Sequence, residues 1–266
     1  MTEPHLTPAK LIGQRFPKNI FGKMRVAILG YCPPPSIFKK YNQVDTHDQY
    51  FILQTPDSVK KCSYGDMEFL HIYHIYGGPV SASLVEELAY YNFDYILAYG
   101  LAGGLGTKNL KMGDYFLIES GYVYDGTTPH YTKDSVIKCD DFLETKILSL
   151  LPSTNINEMT SVRAMTNDAI YKENNALLKS AKEFGCDIIN LDSSHLYAAS
   201  INNHENKKIK SIQCGVISNI AGEHRDERDS NLSVMLSSEK TDAPNPLELT
   251  GNIVEFFVEK LMPKLI

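Results

Sequence analysis

Short apolar runs of strand length alternate with segments of helical spacing along nearly the whole chain, and this order is the strongest constraint on the fold. Met24–Gly30 (MRVAILG) and Glu68–Ile75 (EFLHIYHI) read as buried strands. Pro79–Tyr91 (PVSASLVEELAYY) has helical spacing, with Ser81 or Ser83 as its expected cap. Strands are expected again at Tyr95–Tyr99, Tyr115–Tyr124, Asp187–Leu191 and Ser211–Ser218. Helices are expected at Asp141–Leu151, Asn174–Phe184, Ser194–Ile201 and Leu249–Leu261. The alternation implies an α/β fold: a single-domain, three-layer sandwich spanning 1–266, with a central sheet flanked by helices. Ligands of such sheets sit beyond the carboxyl ends of the strands. Gly30, Gly100, Asp192 and Asn219 each fall just after an expected strand and are candidates to converge there.

Composition narrows the function classes. The formal net charge is −6, from 26 basic and 32 acidic residues, and the one basic cluster is Lys207, Lys208 and Lys210. That balance argues against a nucleic-acid partner, because neutralising phosphates needs clustered Lys and Arg. No apolar stretch approaches the roughly 20 residues that span a bilayer, so no membrane partner is expected. Pro4, Pro8, Lys10, Arg15 and Lys18 leave the first 20 residues without the apolar segment of a secretory signal. Cys32, Cys62, Cys139, Cys186 and Cys214 are odd in number and widely spaced, the pattern of reduced, buried thiols in a cytoplasmic protein. Zinc-ligand spacing is lacking and no metal is expected.

The stretch DYILAYGLAGGLG (94–106) reads as a strand ending in a glycine-rich turn, a shape that elsewhere cradles phosphate. With it come PHL (4–6), AILG (27–30), GGPVSASLVEEL (77–88), MGD (112–114), DGT (125–127), TNDAIY (166–171), NLDSSHLY (190–197) and GVISN (215–219). In this order the set resembles the nucleoside phosphorylase/nucleosidase superfamily: uridine phosphorylases, hexameric purine nucleoside phosphorylases and methylthioadenosine nucleosidases. The resemblance implies a mixed, partly closed central sheet. It also implies a homodimer or higher homo-oligomer, in which His5 reaches the ribose 5′ side of a neighbour's site.

Several family positions are altered. Where the phosphorylases grip phosphate with an Arg and a Ser or Thr, this chain has Ala98 and Leu101. Neither replacement holds an anion. The loop after the first strand reads GYCPPPSIF and lacks the family Arg. No cofactor is expected, and phosphate remains a conceivable co-substrate only through the backbone at Gly100–Gly103. The nucleosidases place a water-activating Glu where Pro35 stands, so that base is also gone unless Glu223, Asp226 or Glu227 replaces it.

The family Met-Glu pair that packs and holds ribose corresponds to Leu191 and Asp192. Asp keeps the acceptor with one methylene, about 1.5 Å, less reach. Two readings of Asp192 stay open: ribose acceptor, or cap of the helix beginning near Ser193. Asn219 stands where purine-cleaving members carry an Asp. An amide cannot be a general acid, but it hydrogen-bonds a base, and uridine phosphorylases also carry Asn here. The base-stacking aromatic corresponds to Ile170, with Tyr171 beside it, and Asn174 stands near the place of the pyrimidine-reading Gln.

The expected function is cleavage of a nucleoside's N-glycosidic bond. Asp192 and Asn219 are the catalytic pair; His5, Gly30, Gly100, Leu101, Ile170, Tyr171 and Leu191 complete the binding site for a nucleoside or nucleobase. The alternatives are a catalytically silent relative that binds a ligand or serves a structural role, and a relative acting on an unusual substrate through His224, Glu223 or Asp226.

Overall fold

The structure, a computed structural model, describes residues 4–153, 156, 158–222 and 245–266. Ten strands form one mixed sheet: β1 Val26–Gly30, β2 Asn42–Asp45, β3 Val59–Tyr64, β4 Met67–Ile72, β5 Tyr95–Gly104, β6 Tyr115–Tyr124, β7 Val136–Lys138, β8 Thr160–Asn167, β9 Ile188–Asn190 and β10 Lys210–Ile220. Among the described residues, the α-helices are α1 Pro8–Leu11, α2 Gly78–Tyr90, α3 Asp141–Leu150, α4 Asn175–Glu183, α5 Ser193–Ile201 and α6 Pro246–Phe256.

β5 organises the sheet. It pairs in parallel with β1 on one edge and with β10 on the other, and its last residues turn to pair with β9. β9, β8, β6 and β10 then follow in order and return to β5, so five strands close on themselves. β1, β4, β3 and β2 extend the sheet as an open wing. Val26, Ala27, Ile28 and Leu29 are wholly buried, as are Ile96, Leu97, Ala98 and Tyr99 alongside them. This two-sided burial is why both strands read as unbroken apolar runs.

The glycine-rich stretch departs from its expected form. It is not a turn, because β5 continues through Gly104. Its glycines make room for neighbouring chains instead. A Cβ on Gly100 would stand 3.2 Å from Tyr31 Cβ and 3.3 Å from Gln213 Nε2, and one on Gly104 would stand 3.0 Å from Ile220 Cδ1. β10 likewise runs past Ser218, so Asn219 lies in the strand, just after an irregularity in its pairing with β5.

The expected cap of α2 is also corrected. The helix starts after Gly77, at φ 82°, with no side-chain cap. Ser81 lies inside it, wholly buried, and its Oγ is 2.6 Å from the Tyr31 hydroxyl. α5 is buried on nearly every side, from Ser193 to Ser200. α4 has the amphipathic pattern of a surface helix and is capped by Asn174, whose Oδ1 accepts from Ala176 N and Leu177 N. All five cysteines are free and buried. No helix among the described residues is long and apolar enough to cross a membrane.

Candidate active site

Asp192 is the residue around which the candidate site is built. It directly follows Leu191 at the end of β9 and opens α5, the position where an Asp ordinarily caps a helix. Its side chain makes no capping bond. A neighbour in space has taken that work, and Asn190 holds the chain at the helix start. Thr166 Oγ1, from β8, accepts from Ser194 N at 2.9 Å. Asn190 Oδ1 accepts from Asp192 N at 3.4 Å and from the Ser193 hydroxyl at 3.2 Å.

The released carboxyl turns toward the seam between β5 and β10. There Gln213 Nε2 donates to Asp192 Oδ2 at 3.4 Å, and Gly100 faces the same oxygen, 3.8 Å from where its Cβ would be. Asp192 is 5% exposed and Gln213 wholly buried. Loss of water raises the Asp192 pKa from 3.8 to about 8, against the opposing effect of the Gln213 bond. At neutral pH the group is mostly a carboxylic acid. Tyr31 and Cys32, from the loop after β1, lie in the field of Asp192, and burial followed by that charge pushes both of their pKa values up. Tyr76, half exposed at the approach to α2, is raised by burial, then by Cys32 and Asp192.

Gly30 packs on the Tyr99 hydroxyl and sits 3.2 Å, measured from its would-be Cβ, from Tyr73 Cβ. Leu101 and Leu191 are half-buried nearby in sequence to Gly100 and Asp192. Asn219 approaches β5 further along. Its Nδ2 is 3.6 Å from where a Cβ on Gly103 would be, and its Oδ1 accepts from the Ser218 hydroxyl at 2.8 Å. Gly100 and Gly103 are three residues apart, on alternate sides of the pleat. Ile170 and Tyr171 lie in a short 3-10 turn after β8, 48% and 97% exposed, and His5 is exposed near the start of the described chain. The structure thus gathers Asp192, Gly100, Tyr31 and Gln213, sets Asn219 at the next stretch of β5, and leaves His5, Ile170 and Tyr171 at the surface. Glu223, His224, Asp226 and Glu227 lie outside the described residues.

None of the described arginines serves this site. Arg15 pairs with Asp48 at 3.1 Å, Arg25 with Asp94 at 3.5 Å, and Arg163 donates to Ser120 Oγ and to Phe184 O. The loop carrying Pro33–Pro35 is tied to α6. Ser36 N and Oγ donate to Glu248 Oε2, and Lys40 bonds Glu255 at 2.7 Å. The Lys207–Lys210 cluster is likewise occupied: Lys207 pairs with Asp94 at 2.8 Å and Lys210 sits 4.1 Å over the Phe142 ring. Groups of His, Cys, Asp and Glu able to hold a metal are absent among the described residues.

The model of the phosphorylase superfamily matches residues 62–243 of this sequence. The chain belongs to that superfamily. An uncharacterized protein of Acanthamoeba polyphaga mimivirus is 34% identical over 202 residues, covering 75% of this chain and 77% of that one. Purine nucleoside phosphorylase from Toxoplasma gondii, solved in complex with immucillin-H, superposes with a TM-score of 0.70 at 17% identity, over 99% of this chain and 98% of that one. The 5′-methylthioadenosine/S-adenosyl homocysteine nucleosidase of Campylobacter jejuni gives 0.64 at 18% identity, over 91% and 99%. Futalosine hydrolase of Helicobacter pylori gives 0.67 at 13%, over 89% and 98%. At these identities the superpositions establish the shared fold.

Within that fold, sequence reasoning missed three residues of this superfamily member. Gln213 lies inside an apolar strand and carried no spacing signal. Tyr31 lies in the loop GYCPPPSIF, which was read only for the Arg it lacks. Thr166 stood in a quoted motif, but its capping of α5 depends on β8 lying beside β9.

Proposed function

We propose that this chain binds a nucleoside and cleaves its N-glycosidic bond with water, not phosphate, as the acceptor. The observation that carries the reading is the Asp192 carboxyl, turned away from the cap its position invites and into the β5–β10 seam of a phosphorylase-superfamily fold. A carboxyl kept in a dry site at a cost in stability is the mark of a group retained for chemistry.

In this reading Asp192 holds the sugar hydroxyls and Asn219 hydrogen-bonds the base. Asp192 approaches β5 at Gly100 and Asn219 approaches it at Gly103, toward the strand's carboxyl end. Half-buried Leu101 and Leu191 supply apolar walls. Hydrolysis is favoured over phosphorolysis because the described arginines are engaged elsewhere and Ala98 and Leu101 offer an anion nothing. His5, Ile170 and Tyr171, exposed on one chain, join the site only if a second copy covers them.

Purified protein incubated with purine and pyrimidine nucleosides, with and without phosphate, tests this by the free base released. Phosphate-independent release is expected. Release only with phosphate would refute the choice of acceptor. Nucleoside binding without any release would favour the second reading, a silent ligand-binding relative, which the replacement of a general acid by Asn219 supports.

A further inference from the structure

Asp192 has features that holding a sugar does not require, and they concern how the acceptor is activated. The bond that a helix-opening Asp would make is supplied by Thr166 Oγ1, which accepts from Ser194 N at 2.9 Å, so the carboxyl is free of any structural duty. Its hydrogen-bond partner is Gln213 at 3.4 Å, and the other end of that amide, Oε1, is buried with no partner of its own. An amide both donates and accepts. It can therefore serve Asp192 in either protonation state: Nε2 toward the carboxylate, Oε1 toward the carboxylic acid. Gly100 of β5 packs beside the carboxyl, where a Cβ would stand 3.8 Å from Asp192 Oδ2.

Among the described residues, the other candidates for this task are closed. Pro33, Pro34 and Pro35 carry no proton acceptor, and Asn219 is an amide. Asp125 is saturated by Thr127 N, Thr128 N, the Thr128 hydroxyl and the Ser194 hydroxyl. Asp168 accepts from Gly126 N at 2.7 Å, away from the seam.

We propose that Asp192 is the general base of this site, taking a proton from the attacking water, with Gln213 as its positioning residue. The inference rests on the cleavage reading above. The carboxylate takes one proton from water as the water oxygen bonds to the sugar C1′. The bond from C1′ to the base nitrogen breaks, and its electron pair leaves with the base, which acquires a proton from solvent. The carboxylic acid then returns its proton to solvent.

The groups facing the carboxyl leave its ionisation to burial and Gln213. Tyr31 and Cys32 come from the loop after β1, Tyr76 from the segment before α2, Gln213 from β10 and Gly100 from β5. The phenols and the thiol are raised and stay neutral near pH 7, and no cation contributes to the Asp192 shift.

The test is the rate of base release from inosine, adenosine and uridine between pH 5 and 10, for the wild type, Asp192→Asn and Gln213→Met. The wild-type rate is expected to rise roughly tenfold per pH unit and to level near the Asp192 pKa of about 8. Asp192→Asn should lose at least about 100-fold. Gln213→Met should move the limb to higher pH, because the lost bond favoured the charged form. A protonated carboxyl band in the infrared spectrum at pH 6, absent from Asp192→Asn and fading through pH 8, is the matching readout that needs no turnover. Release that is flat with pH, or kept by Asp192→Asn, or a wild type lacking that band, overturns the base assignment and leaves the cleavage reading standing. No release from any of the three by wild type that shows the band overturns the cleavage reading, and the base role with it.

Discussion

Replacing Asp192 with Asn should make the protein more stable at neutral pH, although it removes the residue on which the proposed chemistry depends. In the unfolded chain this carboxyl ionises at its ordinary value of 3.8; in the folded protein burial holds it to about 8. Between those values the folded state binds the extra proton, so stability falls as pH rises through the window and levels above about 8. At 1.36 kcal/mol per unit, the roughly four-unit shift corresponds to about 6 kcal/mol by pH 8 and about 4 kcal/mol at pH 7. Asn presents a neutral group of the same shape to Gln213 and has no such ionisation. Urea unfolding of both proteins from pH 4 to 9 measures the difference. The wild type should lose stability across the window while the variant stays flatter. At pH 7 the variant should melt about 8 °C higher, at about 2 °C per kcal/mol for a chain of this size. Parallel pH profiles, or a variant less stable than wild type at pH 8, would refute the claim that this carboxyl is held neutral by a dry site.

Three further outcomes follow from packing and hydrogen bonding. Gly215→Ala would drive a methyl into the Phe116 ring and the Gly100 carbonyl, and should cost at least about 3 kcal/mol in urea unfolding. Asp125 is lowered overall: burial raises its pKa, but the bonds from Ser194 and Thr128 outweigh that. Its contribution is therefore present above 3.8 and lost as pH falls through the lower folded value; Asp125→Asn should cost about 2–3 kcal/mol at pH 7 and flatten the acid limb of the stability curve. Tyr31→Phe removes the 2.6 Å contact to buried Ser81 and should cost about 1–2 kcal/mol by chemical denaturation.

What the sequence disclosed depended on how locally each feature is determined. β6 was legible end to end because aromatic and aliphatic strand formers fill both of its ends, on either side of Glu119–Gly121. α3, α4 and α5 were found within a residue or two, from spacing. β3 (VKKCSY) was missed because Lys60 and Lys61 interrupt its apolar face, and β8 (TSVRAMTN) because its buried residues include Thr166 and Asn167. The glycines of 100–104 looked like a turn because a glycine's need for space and its freedom to turn leave the same letter. Family likeness pointed to Asp192 and Asn219 and to the missing phosphate ligands. It did not reveal that Asp192 is released from capping, since Thr166 reaches α5 only when β8 lies beside β9.

The central claim, hydrolysis of a nucleoside by this phosphorylase-superfamily chain, is tested most directly by the origin of the oxygen on the released sugar. The protein is incubated with a cleaved nucleoside in ¹⁸O-labelled water containing phosphate, and the sugar product is analysed by mass spectrometry. Free ribose carrying the label at C1 is the predicted result. An unlabelled ribose 1-phosphate would contradict it and require a phosphate site built without arginine from Gly100, Leu101 and their neighbours.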